Sequence, residues 1–102
     1  MSATILQLNL NFSVSSEDYE NVVSALVEDF TKVDGLRWKV WLMNKDESEA
    51  GGIYLFEDKD SAKAFLSGPL AKQVSSHPAL SNLSVKTFDV MDKLTSVTRG
   101  PV

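Results

Sequence analysis

The chain has no cysteine, a single histidine and three prolines in 102 residues. The missing thiol excludes disulfides, thiolate metal sites and cysteine nucleophiles together, and it fits a reducing compartment. One histidine without cysteine leaves a structural zinc site short of donors. Positive charge is scarce too: ten Lys and Arg against fourteen Asp and Glu give a net charge of −4. No Lys/Arg cluster exceeds a pair of neighbours, so nucleic-acid binding is not expected. No apolar run approaches the roughly 20 residues a membrane helix needs. No basic segment followed by an apolar core opens the chain, as a signal peptide would require. The expectation is a soluble, cytoplasmic, single domain over residues 1–102. With 43% apolar residues it can build a core.

What the chain does have is a concentration of aromatic side chains. The stretch from Leu36 to Phe56, LRWKVWLMNKDESEAGGIYLF, holds both tryptophans and one of the two tyrosines. Two runs of β-forming residues flank a polar turn at Asn44–Ser48, which predicts a β-hairpin. Leu36, Trp38, Val40 and Leu42 share one predicted face, and Arg37, Lys39, Trp41 and Met43 the other. Gly51-Gly52 in the second run marks a bulge or a close approach by another backbone or a ligand. The pair leads into a strand rather than a helix, so it is not a phosphate loop. Both hairpin faces carry large apolar groups, whereas a sheet open to water on one side alternates more cleanly. Both faces are therefore expected to be covered, one by helices and one by a partner subunit.

The flanking segments follow simple periods. TILQLNLNF at 4–12 alternates, with Leu6, Leu8, Leu10 and Phe12 on one side and Ile5, Gln7, Asn9 and Asn11 on the other. Ser15 then caps a helix whose first turn carries Glu17 and Asp18. Tyr19, Val22, Val23, Leu26, Val27, Phe30 and Val33 form its stripe, and Gly35 ends it after about four turns. Asp58 caps a second helix bearing Ala62, Phe65 and Leu66. Pro69 opens a short third helix to about Ser75, and His77-Pro78 ends it. Residues 84–91 read as the last strand, and Asp92–Val102 as an arm over the surface or onto a partner.

Strand, helix, strand, strand, helix, strand is the order of an α+β, ferredoxin-like βαββαβ antiparallel sheet with both helices on one face. ILQLNLNF at 5–12, GLRWKVW at 35–41, EAGGIYLFED at 49–58 with SAKAFL following, and KTFDV at 86–90 carry a resemblance. Through them, over nearly its whole length, the chain resembles the YdhR-like mono-oxygenases of the dimeric α+β barrel superfamily. The resemblance implies a homodimer joined through the open sheet face. It also implies a mono-oxygenase acting on an aromatic or polycyclic small molecule, without metal or cofactor. Haem-degrading enzymes of the same superfamily use a histidine ligand; here only His77 is available, and its predicted loop position suits that role poorly.

Cofactor-free oxygenation asks a protein for a base, a donor to a developing oxyanion and aromatic walls. Tyr54 as donor and His77 as base are the catalytic candidates. Asn9, Asn11, Trp38, Lys39 and Trp41 are the substrate-binding candidates, with Arg37 and Glu49 tuning charge. Each has a plainer reading. Trp38 reads as a core side chain under the helices, Trp41 and Tyr54 as interface groups, and Asn9 and Asn11 as packing or interface amides. Arg37 and Lys39 read as partners of carboxylates such as Glu49, and His77 as exposed. The alternative function is a non-catalytic small-ligand-binding or structural homodimer of the same fold.

Overall fold

The computed structural model describes residues 3–102. Strand β1 (Thr4–Phe12) lies inside a four-stranded antiparallel sheet, between β3 (Glu49–Phe56) and β4 (Leu80–Asp89); β2 (Leu36–Asn44) pairs with the far side of β3. Helices α1 (Ser16–Ser24), α2 (Val27–Phe30), α3 (Lys59–Leu66) and α4 (Pro69–Ser75) fill the connections. This is the ferredoxin-like α+β arrangement that the order of elements predicts. Among the described residues no helix is long and apolar enough to cross a membrane.

Alternation in β1 decides where the core sits. Leu6, Leu8, Leu10 and Phe12 are buried and pack with Tyr19, Phe30, Tyr54, Phe56, Ala62 and Phe65 on the helix-bearing face. The helix starts are set locally, as the sequence predicts. Ser15 Oγ accepts from the Asp18 N–H at 3.0 Å, Asp58 Oδ1 accepts from the Ser61 N–H at 2.7 Å, and Pro69 stands in the first turn of α4. Each satisfies, or does without, a backbone N–H that has no partner inside its helix.

Five expectations are corrected. The single helix running to Gly35 is broken after Ser24, whose hydroxyl donates to the Glu20 carbonyl at 2.6 Å and competes with the helical ladder. The chain turns at Ala25–Leu26, and Phe30 rather than Val27 enters the core. The last strand begins at Leu80, four residues earlier than expected. An irregularity between Asn9 and Asn11, with Asn82 at φ 53°, breaks the alternation that would have revealed it. The terminal arm contains a helix, α5 (Asp92–Val97).

The fourth correction concerns Trp38. The β2–β3 register shifts between Leu36 and Trp38, so Leu36 faces Phe56 while Trp38 pairs with Leu55. One extra residue in a strand moves everything after it to the other face. Trp38 thus lies away from the helices, while Lys39 and Trp41 lie toward them.

The open face receives part of its cover from this same chain. The chain leaves β4 at Asp89, beside Thr4, and by Pro101 it has reached β2, where Trp38 Nε1 donates to the Pro101 carbonyl at 2.8 Å. It crosses one end of the sheet, and Leu55, on that face, is fully buried. The expectation that only a partner could supply this cover does not hold for that end.

Candidate functional site

Between the helix-bearing face of the sheet and α1 lies a cavity of about 240 Å³. Leu8, Leu10, Val22, Val23, Leu26 and Leu80 give it apolar walls. Its polar lining comes from Tyr19, Lys39, Tyr54, Gln73 and His77 beside the Trp41 indole, and no Asp or Glu lines it.

Lys39 sets the character of the site. Its Nζ lies 3.6 Å from the centre of the Phe30 ring, 3.3 Å from that of Trp41 and 4.6 Å from that of Tyr54. The cage is itself packed: Phe30 meets Trp41 edge to face, centroids 5.2 Å apart, and lies 6.0 Å from Tyr54. Ring faces attract a cation but do not replace its hydration. Burial brings the Lys39 ammonium down from 10.5 to about 7. The strand glycines explain how the side chain gets there. A Cβ on Gly52 would lie 2.8 Å from Lys39 Cε, so glycine leaves the lysine its path across the sheet. A Cβ on Gly51 would run into the Leu8 carbonyl oxygen, a close approach of two backbones.

Two phenols complete the interior. Burial pushes the Tyr19 hydroxyl above its ordinary range; burial, and then nearby Tyr19, push up that of Tyr54. Both phenols therefore stay protonated and able to donate. Neither hydroxyl makes a hydrogen bond among the described residues, and no fully enclosed side-chain nitrogen or oxygen lacks a partner. Both hydroxyls and Lys39 Nζ therefore keep some open surface, and all three residues line the cavity. His77 stands in the turn between α4 and β4, half-buried against the cavity rather than exposed. Its Nδ1 accepts the Ala79 N–H at 3.1 Å, which leaves the ring proton on Nε2 in the neutral form.

The residues singled out in the sequence divide between two faces. Lys39, Trp41, Tyr54 and His77 share this cavity. Asn9, Asn11 and Trp38 do not reach it, because their places in β1 and after the β2 bulge turn them to the opposite face. There Asn9 donates to Glu49 Oε2 at 3.1 Å and accepts from Gln7 Nε2 at 3.1 Å. Asn11 accepts from Asn82 Nδ2 at 3.1 Å and donates to the Ser48 carbonyl at 3.3 Å. Glu49 is thus the partner of Asn9 and not of Lys39, with the sheet between the two. Arg37 is exposed at the bulge. Tyr19, Phe30 and Gln73 are polar or caging residues of the site that the sequence did not single out. The first two sit in a helical apolar stripe indistinguishable from ordinary core. Among the described residues no three His, Asp or Glu side chains gather where they could hold a metal ion.

A family model described as "Putative mono-oxygenase ydhR" matches residues 5–101. No curated protein sequence matches the chain. Among solved structures, the NE2512 protein of unknown function from Nitrosomonas europaea superposes with a TM-score of 0.76 at 17% identity, over 89% of this chain and 91% of that one. SnoaB, a cofactor-independent oxygenase from Streptomyces nogalater, gives 0.71 at 16%, over 88% and 94%. MhuD, a heme-degrader from Mycobacterium tuberculosis with two hemes in its active site, gives 0.66 at 16%, over 85% and 95%. At such identities these likenesses speak for the fold alone.

Proposed function

The chain belongs to the ydhR mono-oxygenase family, and from that premise we propose that it oxygenates a small fused-ring aromatic compound in the Lys39 cavity without metal or cofactor. The observation that carries the proposal is the lysine amine caged by Phe30, Trp41 and Tyr54 at the wall of an apolar cavity. An apolar cavity of about 150 Å³ holds one benzene, so about 240 Å³ suits a two- or three-ring system.

The chemistry uses what the cavity offers. A ring methylene activated by a neighbouring phenol or carbonyl loses a proton to the neutral Lys39 amine. The ammonium so formed, with the Tyr54 and Tyr19 hydroxyls, holds the negative charge on the substrate oxygen. Dioxygen adds to the carbanion carbon, and the resulting peroxide breaks its O–O bond. One oxygen stays as a new carbonyl and the other leaves as water with the two methylene hydrogens. All four electrons that reduce dioxygen come from the substrate carbon, so no external reductant enters. Excluding water protects the carbanion from simple reprotonation.

We place a second copy against the open face, where Val40, Phe88, Met91, Leu94 and Val97 remain exposed, and the homodimer in the cytoplasm. The test is oxygen uptake by chelator-treated protein with an anthrone-type substrate. Uptake that falls by about 10²-fold in Lys39→Met, the usual contribution of a general base, supports the assignment. Uptake equal in parent and variant removes Lys39 from the mechanism. Saturable binding with no uptake assigns the cavity to a non-catalytic ligand-binding dimer.

A further inference from the structure

We propose that Lys39 is also a covalent capture site for aromatic aldehydes, which it binds as an imine. Three independent features of the cavity carry this. Lys39 lines the cavity, and its amine nitrogen has no hydrogen-bond partner among the described residues and is not fully enclosed. No Asp or Glu lines the space, so nothing holds a counter-charge beside the nitrogen, and its neighbours are the faces of three rings. Tyr54 and Tyr19 line the same space and bring hydroxyl donors for a carbonyl oxygen. A lysine desolvated in an apolar pocket is the usual form of an activated amine nucleophile.

The ligand class follows from shape and from the step itself. An aryl ring fills the space between Leu8, Val23, Leu26 and the Trp41 indole, and its aldehyde carbon meets the nitrogen. The nitrogen lone pair forms the C–N bond, and the carbonyl oxygen takes a proton to give a carbinolamine. That hydroxyl then leaves with the second amine proton as water, giving the C=N bond. An aldehyde is favoured over a ketone because the single hydrogen on its carbon leaves room inside the cage. The apolar walls slow the return of water that would hydrolyse the imine. The inference shares the cavity of the proposed oxygenase but none of its oxygen chemistry, so either can fail alone.

The test is reductive trapping. The purified protein is incubated near neutral pH with 2-naphthaldehyde and sodium cyanoborohydride, which delivers hydride to the imine carbon and fixes a secondary amine. Intact mass and peptide mapping then locate the label among the eight lysines. The expected result is one saturating adduct on Lys39, formed at least tenfold faster than on any other lysine. It is lost in Lys39→Met and suppressed by 2-naphthalenemethanol, which has the same ring but no carbonyl. Label spread evenly over the lysines overturns the proposal, as does labelling that the alcohol does not suppress. Circular dichroism of the variant separates loss of the amine from loss of the fold. Adduct formation without oxygen uptake upholds this inference against the oxygenase, and the reverse result does the opposite.

Discussion

Replacing Lys39 with methionine should make the protein more stable, and by an amount that depends on pH. The substitution leaves an apolar side chain one heavy atom shorter and removes the nitrogen that lies over Phe30, Trp41 and Tyr54. Bringing the ammonium from 10.5 down to about 7 corresponds to about 4–5 kcal/mol at about 1.36 kcal/mol per pKa unit. Methionine in turn gives up the packing of the missing terminal atom on the three rings, about 1–2 kcal/mol, which leaves about 3 kcal/mol. The folded-state value lies below the unfolded one, so the folded protein sheds its proton first as pH rises. The cost is therefore full at and below pH about 7 and disappears as the unfolded lysine also deprotonates near 10.5. Urea and thermal unfolding of parent and variant from pH 6.5 to 9.5 measure it. At neutral pH the variant should melt about 15 °C higher, the scale expected for ~3 kcal/mol in a domain of this size. The gap should narrow steadily toward pH 9.5. A variant less stable than its parent at pH 7, or a gap independent of pH, would refute burial as the cause of the shift.

Oxygen uptake should rise with pH through about 7 as Lys39 becomes a free base, and Lys39→Met should lose that step while Tyr19, Tyr54 and His77, the other titratable groups on the cavity, remain. Gly52→Ala should push Lys39 off its path and lower uptake about tenfold, a barrier change of about 1.4 kcal/mol. Its far-ultraviolet circular dichroism should stay unchanged, because the clash falls near the end of a flexible side chain. Trp38→Phe should cost about 1 kcal/mol in urea unfolding through the lost bond to Pro101, and limited proteolysis should cut the C-terminal segment sooner.

What could be read from the sequence was what neighbouring residues decide together. The β1 alternation, the Ser15 and Asp58 caps and the Pro69 start all depend on contacts within a few positions, and each has one physical reading. The hairpin was legible for the same reason, but its faces were not. A bulge at Arg37 leaves no mark in a run such as LRWKVW, yet it alone decides whether Trp38 or Trp41 meets the helices. Lys39 was legible as a residue type but not as a buried one. A lone lysine in a strand normally reaches solvent, and only the meeting of Phe30, Trp41 and Tyr54 from three separate segments encloses it. The exit of α1 was hidden in the Ser24 hydroxyl, whose choice between water and the Glu20 carbonyl depends on its surroundings.

The crossing of the C-terminal segment sets an order of events during synthesis. Trp38 is 63 residues from the carbonyl it binds, and the Leu55 row stays uncovered until residue 101 has left the ribosome. The Ser15-capped helix and the hairpin emerge far earlier and can form from local contacts. The nascent chain therefore passes through an interval in which a half-built sheet presents Trp38, Leu55 and Ile5 without a lid. A chaperone that recognises exposed aromatic strand surface would meet this protein in that interval, and release should coincide with closure of the last dozen residues.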